Sequence, residues 1–130
     1  MDIALGKSGD MFALEVHLNG QKKFTAGFTG PGTVTALLHC VVHAKQGAGH
    51  SAQWADVSVA GHDVKVQEYV DWLRRQALNP GDEVTFRVVD TTSPDPPPPG
   101  AHRITDDERQ KEYVLELAKK FGWKITFNPQ

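Results

Sequence analysis

The chain contains 130 residues, of which 39% are hydrophobic and 23% are charged, as in an ordinary globular domain and unlike a disordered chain. One domain is expected at this length, because domains usually span about 100–200 residues. The formal net charge of −2 argues against a dedicated binder of nucleic acid or of anionic membranes, since both partners select a basic excess.

Residues 11–28 form the clearest predicted element, a β-hairpin. Apolar and polar residues alternate along its first arm, which gives a strand one apolar face. Asn19 and Gly20 follow that arm, and this pair favours a two-residue type I′ turn because both central residues need positive φ. Residues 21–28 supply the return arm, and residues 2–5 are expected to add a short edge strand.

Residues 33–44 fit two interpretations. The apolar residues from Val34 onward follow the spacing i, i+3, i+4, i+7 and i+8 of an amphipathic helix. A strand also fits, and it is favoured because the segment is rich in Thr and Val, whose branched Cβ suits a pleated surface. The segment is also entered from Gly-Pro-Gly, which supplies no capping side chain. We therefore predict a strand here, a loop over residues 45–51 and an antiparallel return strand over residues 53–60.

A short middle helix is predicted over residues 63–78. Apolar residues fall at helical spacing in this stretch, Asp63 is placed to cap the helix, and the Pro-Gly pair after Asn79 is placed to end it. Residues 84–90 alternate again between apolar and polar, and this pattern predicts another strand.

The last third of the chain begins with a proline-rich connector over residues 93–102. Proline cannot donate to a sheet, so the connector is expected to end the β portion and to act as a semi-rigid strap or spacer. Thr105 and Glu108 match a capping box, which predicts a helix of about four turns ending near Gly122. Residues 123–127 alternate like a terminal strand. The apolar face of the helix is formed by Val114, Leu117, Ala118 and Phe121, with Tyr113 beside it.

Together these elements predict an α+β domain, an antiparallel β-sandwich or open barrel of about five strands with a C-terminal amphipathic helix. Residues 1–130 are expected to form this single domain. Its parts are a β portion with the short middle helix over residues 1–92, the connector over residues 93–102, and the C-terminal helix and terminal strand over residues 103–130.

Two stretches resemble a family of small bacterial proteins of uncharacterised function. Residues 18–27 read LNGQKKFTAG and resemble the first hairpin of that family. Residues 79–90 read NPGDEVTFRVVD, with Asp95 and Pro96 after them, and resemble its Gly-Asp-Glu-Val turn and following strand. The resemblance covers roughly residues 11–97. It implies an antiparallel β unit that this strand closes, and it implies no catalytic residues.

The histidines are the first candidates for metal ligands. A zinc site needs three or four His, Cys or carboxylate ligands that converge. His39 and His43 share a face of the predicted strand, but neither a Cys-x-x-Cys nor a His-Glu-x-x-His motif occurs. We expect these histidines to face solvent and expect no metal or other cofactor. The alternative is a metal- or small-molecule-binding enzyme that uses His17, His39 and His43 on one β-face.

Cys40, the single cysteine, is expected to be a core residue of its strand rather than a nucleophile. A catalytic thiol needs a nearby base and often lies at a helix N-terminus. We therefore predict no catalytic residues and no enzymatic activity.

A lone cysteine cannot form an internal disulfide, no secretory signal is visible, and no apolar run approaches the roughly 18 residues of a membrane span. A cytoplasmic protein without membrane contact is expected.

The three tryptophans are candidate contact residues for a partner. Trp54 and Trp123 are expected to face the core, whereas Trp72 lies off the apolar stripe of the predicted middle helix. If exposed, Trp72 would suit an interface anchor; the alternative is that it packs under the proline strap or the C-terminal helix. The candidate partner-binding residues are Glu68, Asp71, Trp72 and Arg75.

Without a catalytic set, the sequence favours a non-enzymatic protein-binding module. The most concrete hypothesis is a bacterial immunity protein that neutralises a secreted toxin, by analogy with other small one-domain bacterial proteins. An adaptor protein of a secretion system is a further alternative. A nucleic-acid-binding β-barrel is another, although the charge balance opposes it. An unpaired edge strand would also allow a homodimer.

Overall fold

The computed structural model describes residues 11–43, 53–98 and 103–126. Within these residues the chain forms seven strands in two antiparallel sheets and one C-terminal helix. The predicted α+β class is confirmed, with seven strands where about five were expected. No helix of the described residues has the length and apolarity needed to span a bilayer. The bounds are β1 (Met11–Leu18), β2 (Gln21–Ala26), β3 (Gly32–Val42), β4 (Gln53–Asp63), β5 (Glu68–Leu78), β6 (Val84–Thr91), β7 (Arg103–Thr105) and α1 (Asp106–Phe121).

The two sheets enclose the core between them. The first sheet has the order β2-β1-β6 and the second has the order β3-β4-β5-β7. Val16 and Ala26 from the first sheet meet Val59, Val70 and Trp72 from the second in one buried cluster. The alternation of apolar residues along each strand places them on the inner faces, where their burial holds the sheets together.

The first hairpin confirms the turn predicted from Asn19 and Gly20. These residues have φ of 51° and 78°, the positive values that a type I′ turn requires. Leu18 lies opposite Gln21 in the register of β1 and β2. The edge strand predicted over residues 2–5 lies outside the described residues.

Residues 33–44 contain a strand, as predicted. β3 and β4 pair over all eleven residues of each strand without a register shift. The return strand runs to Asp63 instead of ending at residue 60, because its last three residues pair both with β3 and with β5. The loop predicted over residues 45–51 lies outside the described residues.

The helix predicted over residues 63–78 is wrong, because most of this stretch is β5. The strand bulges in two places. Trp72 is an extra residue between Asp71 and Leu73, which have partners in β4, and Arg75 has a positive φ of 50°. A bulge breaks the period of two along a strand, and here it leaves apolar residues at a spacing that imitates a helix.

Asp63 caps a turn and not a helix. The Lys65 backbone N–H donates to Asp63 Oδ1 at 3.1 Å, which is the local bond that makes Asp a frequent first residue of turns. Residues 64–67 form this turn and lead directly into β5.

The proline-rich segment is a strap across one edge of the sandwich. Asp95 forms a parallel bridge with Ala26 of β2. The Asp95 N–H donates to the Thr25 carbonyl at 2.8 Å, and the Asp95 carboxylate accepts from the Thr25 N–H at 2.7 Å. The segment does not end the β portion as predicted, because β7 follows it and pairs with β5.

Helix α1 begins at the predicted capping box. The Glu108 N–H donates to Thr105 Oγ1 at 3.2 Å, and the Thr105 N–H donates to Glu108 Oε2 at 3.3 Å. Gly122 ends the helix with a φ of 70°. The terminal strand predicted over residues 123–127 is wrong for residues 123–126, where the Trp123 N–H instead bonds back to the last turn of the helix. Residue 127 lies outside the described residues.

Three residues expected in the core lie at the surface. Trp54, Trp123 and Cys40 are all exposed. The β3–β4 hairpin is longer than its buried part, and Cys40 and Trp54 lie on the half of it that extends beyond the core. Trp123 lies past the end of α1, which meets the second sheet mainly at its first turns.

Candidate protein-binding surface

Trp72, the predicted interface anchor, is buried instead of exposed. It is 4% exposed, and its ring meets Phe28 edge-on with the centroids 5.3 Å apart. It packs beneath the proline strap, which was the alternative interpretation. Asp71 lies next to it, opposite Ala60 of β4, and is half-buried.

The other two candidate residues lie near the ends of β5. Glu68 is opposite Asp63 of β4 on one side and Thr105 of β7 on the other. Arg75 lies at the second bulge, where its Nε is 3.7 Å from Asp56 Oδ2. The structure thus distributes the four predicted residues along one strand and does not bring them together.

The three histidines of the metal-dependent alternative do not converge. His17 pairs with a carboxylate of the first sheet, whereas His39 Nδ1 lies 3.4 Å from Asp56 Oδ1 in the second sheet. His43 contacts the Trp54 ring. In the described part of the chain, no group of three or more His, Cys, Asp and Glu side chains is arranged to hold a metal ion.

Glu15 is the centre of a cluster of basic side chains on the outer face of the first sheet. Its Oε1 is 2.6 Å from His17 Nε2 and 3.5 Å from Arg87 Nη1, and its Oε2 is 3.8 Å from Lys22 Nζ. The hydrogen bond with His17, helped by the charges of Lys22 and Arg87, lowers the pKa of Glu15 below its ordinary value although desolvation opposes the shift. Such cross-strand charge pairs stabilise a sheet, so this cluster needs no ligand to explain it.

A polar cluster that the sequence reasoning missed attaches α1 to the second sheet. His62 Nε2 is 2.8 Å from Asp106 Oδ1, and the His62 and Tyr69 rings have centroids 4.4 Å apart. The Arg109 guanidinium lies 4.3 Å from the Tyr69 ring centroid. A helix over residues 63–78 would not have placed Tyr69 opposite His62. The available signal was the run of Tyr, Val and Trp, which are strong strand formers.

Among the described residues, this attachment involves Asp106 and Arg109 in the first turns of α1. Tyr113, Leu117 and Phe121 follow Arg109 at successive steps of four residues, so they continue the attached row along the helix. Tyr113 is nevertheless 62% exposed and Phe121 55% exposed. The apolar face of the helix therefore extends into solvent beyond the sheet. We call this surface the helix stripe; it consists of Tyr113, Val114, Leu117, Phe121 and Trp123.

The C-terminal end of the helix stripe is aromatic and cationic. The Phe121 and Trp123 rings stack with centroids 5.2 Å apart, and Lys120 Nζ lies 5.3 Å from the Phe121 ring centroid. Three lysines and no acidic residue follow Glu116 in the sequence. A lysine beside exposed aromatic rings favours a partner whose apolar surface has an acidic rim.

A second apolar feature is the opening between the sheets. A cavity of about 510 Å³ lies between β1, β3 and β6, with Leu14, Val34 and Val88 in its walls. A larger cavity of about 690 Å³ lies beneath the strap, and Phe24 and Trp72 are among its lining residues. Both cavities lie between the two sheets, one beneath the strap and the other away from it.

Comparisons of the chain with protein-family models, with curated proteins and with solved structures found no match. The resemblance of residues 18–27 and 79–90 to a family of small bacterial proteins therefore stays a prediction.

Proposed function

We propose that the protein is a non-enzymatic protein-binding module and that the helix stripe is its contact surface. The observation that carries this proposal is the exposed apolar face of α1. A helix with apolar residues at this spacing normally buries them against a neighbour, and in the described residues Ala118 is the one buried member of the helix. Amphipathic helices of this kind bind by laying the apolar face into a groove of the partner.

The residues of the helix stripe indicate the chemical character of the partner's contact surface. Tyr113, Phe121 and Trp123 are aromatic residues of the type that dominates binding energy at interfaces. The Lys120 ammonium group beside Phe121 favours an acidic group at the rim of the partner's groove. Most concretely, we propose a secreted bacterial toxin as the partner and an immunity protein as the role. This step is supported by the size of the chain and by the absence of a predicted catalytic set.

The test is co-expression with the toxin encoded by the adjacent gene. We expect rescue of growth and, on size-exclusion chromatography, a complex that contains one toxin molecule for each copy of the chain. The Val114→Glu and Phe121→Glu variants should lose both, because each places a charge in the apolar contact. A neighbouring gene product that forms no complex and whose toxicity is not relieved would overturn the proposal.

Leu115→Glu is the matched control for Val114→Glu. Leu115 is 48% exposed and Val114 is 43% exposed. The two substitutions therefore place a charge at apolar side chains of similar exposure. Leu115 lies about 100° further round the helix, away from Tyr113 and Phe121. The control should bind normally, and equal loss of binding in both variants would contradict a contact through the helix stripe.

A further inference from the structure

Three of the four edge strands in the described sheets have features that prevent pairing with a further strand. The β2 edge is covered by the strap at Asp95. The β7 edge is only three residues long, and β6 carries Arg87 and Asp90 within its eight residues. Covered, short and charged edges are the means by which folded proteins avoid edge-to-edge association.

The fourth edge, β3, has none of these features. It contains eleven residues, with the sequence GTVTALLHCVV, and holds no Asp, Glu, Lys, Arg or Pro. Its pairing with β4 has no bulge. Leu37, Leu38 and Val42 are exposed along it. A long, regular and uncharged edge is a template for another strand, and within residues 11–43, 53–98 and 103–126 no strand pairs with the outer side of β3.

We propose that β3 pairs antiparallel with β3 of a second copy of the chain. The two second sheets would then form one continuous sheet of eight strands around a twofold axis. With Leu37 on that axis, all eleven residues overlap, from Gly32 opposite Val42 of the other copy. In this register an even-numbered residue always faces an even-numbered residue, and an odd-numbered residue faces an odd-numbered one. The side chains that point toward the core in one copy therefore lie on the same face of the joint sheet as those of the other copy.

The side chains that meet in this register favour a second copy over a strand of another protein. Ala36 faces Leu38 of the other copy, a small residue beside a large one, and Leu37 faces Leu37. Thr35 faces His39. A twofold axis places the residue on it opposite its own copy, so a charged residue there would face a like charge. Leu37 is uncharged, and no two like-charged side chains oppose each other in this register. Pairing also covers part of the exposed Leu37 and Leu38 side chains.

The mass of the full chain in solution tests the proposal. Light scattering after size-exclusion chromatography should give twice the monomer mass of 14.3 kDa. Leu37→Lys should halve that mass, because it brings two ammonium groups together on the axis. Leu37 is half exposed in the monomer, so the variant should keep its far-UV circular dichroism. The control is Thr85→Lys on β6, which should remain a dimer.

Cysteine cross-linking tests the register. In a Cys40→Ser background, Leu37→Cys should form an intermolecular disulfide, because facing residues of an antiparallel pair have Cβ atoms about 5 Å apart. Thr35→Cys, on the same strand and face, should not, because it faces His39. A monomer at every concentration, or a dimer that persists in Leu37→Lys, would overturn the proposal. A disulfide in Thr35→Cys alone would overturn the axis at Leu37.

This inference is independent of the proposed function. The helix stripe lies on α1, and the edge lies on β3. Leu37→Lys should therefore leave toxin binding through Val114 and Phe121 unchanged while it abolishes the dimer.

Discussion

The indole Nε1 of Trp72 donates a hydrogen bond to the carbonyl oxygen of Asp95 at 2.9 Å. This bond ties the core of the second sheet to the strap, and Asp95 in turn bonds to Thr25 of the first sheet. One short segment thus holds both sheets along the closed edge of the sandwich.

The first prediction concerns that bond. Trp72→Phe keeps an aromatic ring in the core but leaves the Asp95 carbonyl without its donor. We expect a loss of about 1–3 kcal/mol in the free energy of unfolding, measured by urea denaturation, since an unsatisfied polar group has this cost. Trp54→Phe is the control, because Trp54 is exposed; it should change stability by less than about 0.5 kcal/mol. Equal effects of the two substitutions would refute the importance of the bond.

The second prediction concerns pH. The pKa of Glu15 is lowered in the folded state by its hydrogen bond with His17. The stability that Glu15 contributes is therefore complete above its ordinary value near 4.5 and is lost as the pH falls through the lowered native value. Thermal melts from neutral to acidic pH should show wild type more stable than Glu15→Gln at neutral pH, with the gap closing in acid. A gap that widens in acid would have the wrong sign.

The third prediction separates turn conformation from bonding at Asn19. Glycine adopts its φ of 51° freely, but Asn19 Oδ1 also accepts from the Glu83 N–H at 2.9 Å, and its Nδ2 donates to Asp82 Oδ1 at 3.1 Å. Asn19→Gly should therefore destabilise the protein by about 1 kcal/mol.

The control for that prediction is Gln67→Gly, since Gln67 has a similar φ of 54°. Its backbone carbonyl bonds to Asp106, and glycine would keep that bond. Chemical denaturation should show a smaller loss for this variant. If the two variants lose equal stability, Asn19 acts through its backbone alone.

The fourth prediction concerns the attachment of α1. Asp106→Asn weakens the pairing with His62, whereas Asp107→Asn changes an exposed charge in the same first turn. Both variants lose the same favourable interaction with the helix dipole, so their difference reports the His62 contact. Amide exchange along α1 should become faster in Asp106→Asn than in Asp107→Asn. Identical exchange would show that the helix is held by other contacts.

Local chemistry made part of this fold predictable. Asn19 and Gly20 specify their turn whatever surrounds them, and Thr105 with Glu108 specifies the start of α1 within four residues. β3 was predicted correctly because its Thr and Val residues favour a strand. Each of these signals is contained in the segment that it describes.

The remainder depends on contacts between distant segments. The bulge at Trp72 is stabilised by the strap and by β4, so the local spacing imitated a helix. The amphipathic pattern could not predict that Phe121 is exposed. The same pattern occurs when the apolar face of a helix packs on its own chain and when it packs on another protein. The candidate surface therefore emerged only when the packing of α1 was known.

The order of strands in the first sheet has a consequence for synthesis on the ribosome. β1 is the central strand, and its far neighbour β6 pairs with it from Met11 opposite Thr91 to Leu18 opposite Val84. The strands β3, β4 and β5 emerge between them and pair with one another. A nascent chain therefore completes most of one sheet while the central strand of the other still awaits a neighbour, and contacts of such long sequence separation slow folding.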